Sequence, residues 1–99
     1  MPSELTPIPS DMSVRVSPRV YARAFGDEIV LLDFGVGEYF GLDPIGAEIW
    51  RRLEAGETLA RIADSLVERY EVTREVALGD IVALVDEMRD KGLLEGPTH

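Results

Sequence analysis

The spacing of apolar and polar positions changes near residue 42, from a period of two to a period of about 3.6, dividing the chain into a strand half and a helix half. Val14 and Val16 alternate with Arg15 and Ser17 until Pro18 interrupts the run. Beyond the proline, Val20, Ala22 and Ala24 share one face and Tyr21, Arg23 and Phe25 the other, so pairing is expected to be firmest from Val20 to Phe25. Gly26-Asp27 marks a turn. Ile29-Val30-Leu31-Leu32 runs on to Asp33-Phe34 without polar alternation, the pattern of a strand covered on both faces. Gly35-Val36-Gly37 is the next turn, and Glu38 to Leu42 forms a short third strand. Strands joined by such short turns predict an antiparallel meander of three.

The helix half has readable starts and stops. Asp43 can cap free amides, and Pro44 at the first helical position loses nothing by lacking an N–H. Ile45, Ile49, Trp50 and Leu53 then share a face, and Gly56 closes the helix. Thr58 caps a second helix whose apolar set is Leu59, Ile62, Ala63, Leu66, Val67 and Tyr70. Thr73 opens a third with Leu78, Ile81, Val82, Val85 and Met88, ended by Gly92 before Leu93-Leu94. The short link between helices two and three predicts a helix-turn-helix-like corner. The expected fold is α+β and winged-helix-like: a three-stranded antiparallel sheet followed by a three-helix unit. Met1 to Ser13, with Pro2, Pro7 and Pro9, reads as a flexible tail (1–13) ahead of one domain (14–95).

Composition then removes whole classes of function. The 99 residues contain no cysteine, and the one histidine is His99, which excludes thiolate sites and makes a histidine-dependent triad or zinc site very improbable. The longest apolar run is Ile81 to Val85, too short to span a bilayer, and no basic-then-apolar leader opens the chain. No phosphate loop, nucleophile elbow or dinucleotide fingerprint occurs. Asp86, Glu87 and Asp90, like Asp27-Glu28, lack the glycine-marked spacing of a calcium loop and read as solvated faces. A winged helix first brings DNA to mind, but the formal charge is −9 and the third helix sets Arg74, Arg89 and Lys91 against five acids. Arg15, Arg19 and Arg23 are a weak basic row. The reading is a small cytoplasmic domain with no catalytic residues, no metal and no cofactor.

Two features remain. Tyr39 and Phe40 occupy successive positions of the third strand and so point to opposite faces; one of them cannot reach the helix-packed core. The third strand is also an edge of the meander, with one charge, Glu38, and no proline to blunt it. The third helix has Ile81, Val82, Leu84 and Val85 within five positions, wider than one narrow stripe requires. An open strand edge beside an over-apolar helix describes a groove for an extended peptide. The same excess would serve equally to cover the tail or a dimer partner.

The segments Val30-Leu31-Leu32-Asp33, Gly37 to Asp43 and Gly46-Ala47-Glu48-Ile49-Trp50 resemble the PqqD-like proteins, or RiPP recognition elements; Gly56-Glu57-Thr58, Tyr70-Glu71-Val72 and Gly92-Leu93-Leu94 agree. The resemblance runs from about Val14 to Leu94. It implies the same fold and a role without catalysis: binding the leader segment of a ribosomally made precursor peptide, by strand addition to the third strand against the third helix. The quinone-pathway subgroup tends to carry Lys-Leu-Asn where this chain has Gly41-Leu42-Asp43, and the aromatic third strand is more similar to the stand-alone B1 proteins of lasso peptide pathways.

What the resemblance implies is a peptide-binding site at Glu38, Tyr39, Phe40, Gly41, Leu42, Ala77, Ile81, Leu84 and Val85. The implied partners are the precursor leader, a separate B2-type leader peptidase and the cyclase, with no nucleic acid and no membrane. The alternatives are a carrier for another RiPP pathway, the quinone cofactor included, and a winged-helix transcription regulator.

Overall fold

The computed structural model describes residues 9–98. Most of the expected tail 1–13, with Pro2 and Pro7, and also His99 lie outside the described residues. The element order is β1 (Ser13–Val16), β2 (Val20–Phe25), β3 (Glu28–Asp33), β4 (Glu38–Leu42), α1 (Pro44–Glu54), α2 (Leu59–Arg69), α3 (Arg74–Asp90) and β5 (Leu94–Thr98). β2, β3 and β4 form the expected antiparallel meander in that spatial order, followed by the three helices.

β1 departs from the expectation of one interrupted strand. It leaves the meander and pairs antiparallel with β5, Val16 opposite Leu94 and Arg15 opposite Glu95, to make a separate two-stranded ribbon. Pro18 supplies the physical reason, because the chain turns at Ser17–Arg19 rather than running through. The Ser17 amide donates to the Leu93 carbonyl and the Phe34 amide to the Arg19 carbonyl, tying the corner to both sheets. Arg19 completes the tie: its Nε donates to Asp33 Oδ1 at 2.9 Å and its Nη2 to the Gly92 carbonyl at 3.3 Å. Asp33 is fully buried, and the same oxygen also accepts from the Gly35 amide.

All three helix starts are built as the sequence implies. Asp43 accepts from the Gly46 amide, Thr58 from Arg61 and Thr73 from Val76, each satisfying an amide with no partner inside its helix. Gly56 and Gly92, just past α1 and α3, have φ of 84° and 76°, a conformation that any side chain would strain. The segment before β1 also has a job. Met12 closes a turn onto Pro9, and the Ser10 and Met12 carbonyls accept from Ala60 and Leu59 at the start of α2.

The core lies between the meander and the helices, around fully buried Trp50, Leu31, Ile49, Leu53, Leu59, Ile62, Ile81 and Leu93. On α1 the inward set is Gly46, Ala47, Ile49, Trp50 and Leu53; Ile45 stands exposed instead, at the edge of the stripe. On β3 the inward side chains are Ile29, Leu31 and Asp33, while Val30 and Leu32 point to the other face and stay only half-buried. The strand is covered on one face, not two. Its unbroken apolar run reflects an outer face that is itself apolar.

Candidate functional site

β4 has β3 on one side and, among the described residues, no strand on the other. Its inward face is Phe40 and Leu42 and its outward face Tyr39 and Gly41, as the period of two requires. Phe40 is half-buried and packs against the core, whereas Tyr39 is 74% exposed on the opposite face. The ambiguity between the two aromatics is thereby resolved: Phe40 is the one that faces α3.

Between β4 and the C-terminal half of α3 lies a depression of about 220 Å³. Leu31, Phe40, Gly41 and Leu42 line it from the sheet, Leu84, Glu87, Met88 and Lys91 from the helix and its cap, and Leu93 from beyond. Most of these side chains are apolar, and Glu87 and Lys91 bring charge to the depression. Lys91 leans across, its Nζ 4.8 Å from the centroid of the Phe40 ring, a cation–π contact at the mouth. Glu87 sits one turn earlier on the helix.

The candidate residues separate into two groups. Phe40, Gly41, Leu42 and Leu84 come together at the depression, and Glu38 and Tyr39 belong to the same open strand. Ala77, Ile81 and Val85 do not reach it; at 1%, 0% and 1% exposure they are core residues that hold α3 against the rest of the domain. Glu87, Met88, Lys91 and Leu93 were not singled out from the sequence. The available signal was their spacing from Leu84: positions 84, 87, 88 and 91 follow one another up a single side of a helix.

Nothing in the depression resembles a catalytic constellation. It holds one carboxylate, Glu87, and one ammonium, Lys91. Arg52 lies elsewhere, bonded to Glu48 at 2.7 Å and Glu57 at 3.2 Å. Burial by itself would lower its proton affinity, but those two carboxylates raise it further. The arginines of the basic row are dispersed: Arg15 pairs with Glu95, Arg19 with Asp33, and Arg23 stands apart on the outer sheet face. Among the described residues no helix is long and apolar enough to cross a membrane, and no three acidic side chains gather as metal ligands.

The geometry has close counterparts. The family described as coenzyme PQQ synthesis protein D (PqqD) matches over residues 28–94. The solved structure of TbiB1 in complex with the TbiA(beta) leader peptide is 35% identical, covers 86% of this chain and 99% of its own, and superposes with a TM-score of 0.81. The structure of a lasso peptide synthetase B1 complexed with the leader peptide is likewise 35% identical, covering 84% of this chain and 98% of its own, with a TM-score of 0.79. No curated protein matches the sequence.

Proposed function

Because the chain belongs to the PqqD family, we propose that it is a recognition module that binds the leader of a lasso-type precursor peptide and presents it to separate processing enzymes, a B2-type leader peptidase and the cyclase. The observation that carries this is the juxtaposition of a β4 edge, unpaired among the described residues, with a depression against α3 lined mostly by apolar side chains. An extended peptide added to β4 completes backbone hydrogen bonds along the edge, while every second side chain turns into the depression. Phe40 and Leu84 are then the apolar walls that the anchors meet, and Glu38 to Leu42 supply the ladder. Ala77, Ile81 and Val85 act from beneath, keeping α3 at the distance the anchors need. The two B1 structures bound to leader peptides, at 35% identity, support the reading.

On this reading cutting or joining the peptide falls to the partner chains, and no nucleophile beside a positioned base stands among the residues lining the depression. Such work takes place where the precursor is made, in the cytoplasm. The test is a titration of fluorescently labelled leader into the pure protein, followed by anisotropy, with the Leu84→Asp variant alongside. Specific binding is expected, weakened about tenfold or more by the variant, since losing one well-buried leucine contact is worth about 1.5–3 kcal/mol. The peptide should leave the incubation with its mass unchanged. Equal affinity for wild type and variant would remove α3 from the site.

A further inference from the structure

Arg19 lines no part of the depression, yet each group that its guanidinium holds is a neighbour of one that does. Its Nε donates to Asp33, the last residue of β3, and its Nη2 to the carbonyl of Gly92, just past α3. Asp33 points inward on the same face as Leu31, and Gly92 lies between Lys91 and Leu93. Leu31, Lys91 and Leu93 all line the depression. The side chain therefore bridges the sheet wall and the helix wall directly. It does so at one end of the depression, where Asp33 stands opposite Glu38, the first residue of β4.

The surroundings are shaped to this one side chain. A Cβ on Gly35 would stand 2.6 Å from Arg19 Cδ and 2.8 Å from its Nε. The Gly35 backbone is outside the left-handed region, so the close approach of Arg19 is what a larger residue there would violate. A Cβ on Gly92 would collide with Nη2 in the same way. Asp33 is fully buried, and its Oδ2 has no hydrogen-bond partner among the described residues, so Arg19 is the cation that compensates a buried carboxylate. The corner itself does not depend on the guanidinium. Backbone bonds from Ser17 to Leu93 and from Phe34 to Arg19 hold it, and the Gly92 and Leu93 amides close α3 onto the Arg89 and Met88 carbonyls. What the guanidinium alone adds is a fixed separation between the end of β3 and the end of α3.

We propose that Arg19 is a positioning residue for peptide binding: by bridging Asp33 and the Gly92 carbonyl it sets how far the end of α3 stands from the sheet, and with it the width of the depression that receives side chains from a peptide on β4. The inference rests on the peptide-binding reading above. A side chain entering between Phe40 and Leu84 must push the two walls apart unless the gap already has its size. With the bridge in place the helix end is held before the peptide arrives, so the ordering is done on folding rather than on binding. Without it the end of α3 samples closed and splayed positions, and only the fraction with the right gap binds.

Two variants cut the bridge without leaving a buried charge alone. Arg19→Lys keeps a cation for Asp33 but replaces the planar fork by a single point that cannot span both partners. Arg19→Met combined with Asp33→Asn removes both charges and keeps an acceptor for the Gly35 amide. Arg15→Ala is the control, since it removes an exposed ion pair to Glu95 across the ribbon, away from the depression. The chain has no cysteine, so Glu28→Cys and Asp90→Cys, both at exposed positions, place one spin label on the sheet and one at the end of α3 in each background. Pulsed electron paramagnetic resonance then reads their separation with and without saturating synthetic leader peptide. Leader affinity of the unlabelled proteins, each shown by circular dichroism to be folded, is measured by anisotropy. A single narrow separation is expected in wild type and Arg15→Ala, and a broader one in both bridge variants that leader narrows again. Leader affinity should fall about tenfold in the bridge variants, as when the competent gap is populated about a tenth of the time. In Arg15→Ala it should stay within about twofold. An unchanged separation in both bridge variants would overturn the proposal, as would a broadened separation with wild-type leader affinity. An equal loss of affinity in Arg15→Ala would reduce Arg19 to general stability and overturn it too. Failure of the wild type to bind any leader is a separate result, which sinks the peptide-binding reading and this proposal with it.

Discussion

Two stripes run side by side along α3 and do different work. Ala77, Ile81, Val85 and Met88 are spaced by four, four and three residues, and none is more than 2% exposed. Leu84, Glu87 and Lys91, spaced by three and four, face the depression beside β4. Successive positions on a helix are about 100° apart, so Leu84 and Val85 are neighbours in sequence and belong to different surfaces. The first stripe holds the domain together; the second faces the proposed peptide site. A single helix carries both because its inner side packs on the core while its flank overlooks an unpaired strand.

The sharpest way to break that comparison is to place a carboxylate on each stripe. Val85→Glu buries a charge with no counter-ion, and is expected to cost more than about 3 kcal/mol. A domain of this size has about 5–15 kcal/mol in total, so the variant should be largely unfolded or close to it. Leu84→Asp, already half in solvent, should keep native circular dichroism while losing leader. Urea unfolding followed by Trp50, the one tryptophan and fully buried, reads the difference directly. If Val85→Glu proved as stable as the wild type, the boundary between the stripes would be drawn in the wrong place.

That boundary is also where sequence reading reached its limit. The helix caps at Asp43, Thr58 and Thr73 and the turns at Gly26, Gly37, Gly56 and Gly92 are local chemistry, and all were legible. So was the open, weakly charged edge of β4. The excess of apolar residues on α3 was legible as an excess, but Ile81 and Val85 could not be told from Leu84, because the split depends on how the helix crosses the sheet. β5 was invisible for a related reason. Gly96 and Pro97 are poor strand formers, and the strand is held by a ribbon partner some 80 residues away, as the Arg15–Glu95 pair marks, with Gly96 at a break in the register. The run from Ile29 to Leu32 was misread because covering by a helix and an apolar open face leave the same pattern in sequence.

Gly41 sharpens the comparison from the strand side. Its backbone is not in the left-handed region, and a Cβ there would meet no atom within 4 Å, so nothing in the fold requires a glycine. Gly41→Val should therefore stabilise the domain by about 0.5–1 kcal/mol, through lower chain entropy in the unfolded state and better strand propensity. The midpoint of thermal unfolding should rise by several degrees. Leader affinity should fall about fivefold, because the new side chain occupies the space beside the incoming strand. A glycine inside a strand often marks close approach by another backbone. If affinity were to rise along with stability, the space at Gly41 would not be reserved for the peptide.

The smallest effect belongs to Lys91. Its ammonium rests over the ring of Phe40, the surface that an apolar anchor would reach on the proposed reading. At an exposed site such a contact is worth about 0.5–1 kcal/mol, and an anchor that stacks on Phe40 has to displace it. Lys91→Met keeps most of the apolar stem and removes the competing charge. Leader affinity should then tighten by about threefold, with stability nearly unchanged, because the side chain is exposed and lies outside the buried stripe. The salt dependence of binding separates this from a direct ionic role. If Lys91 instead paired with an acidic side chain of the peptide, the variant would bind more weakly and its affinity would lose sensitivity to ionic strength. Tighter binding with an unaltered salt slope would show that Lys91 guards the aromatic wall rather than recognising the ligand.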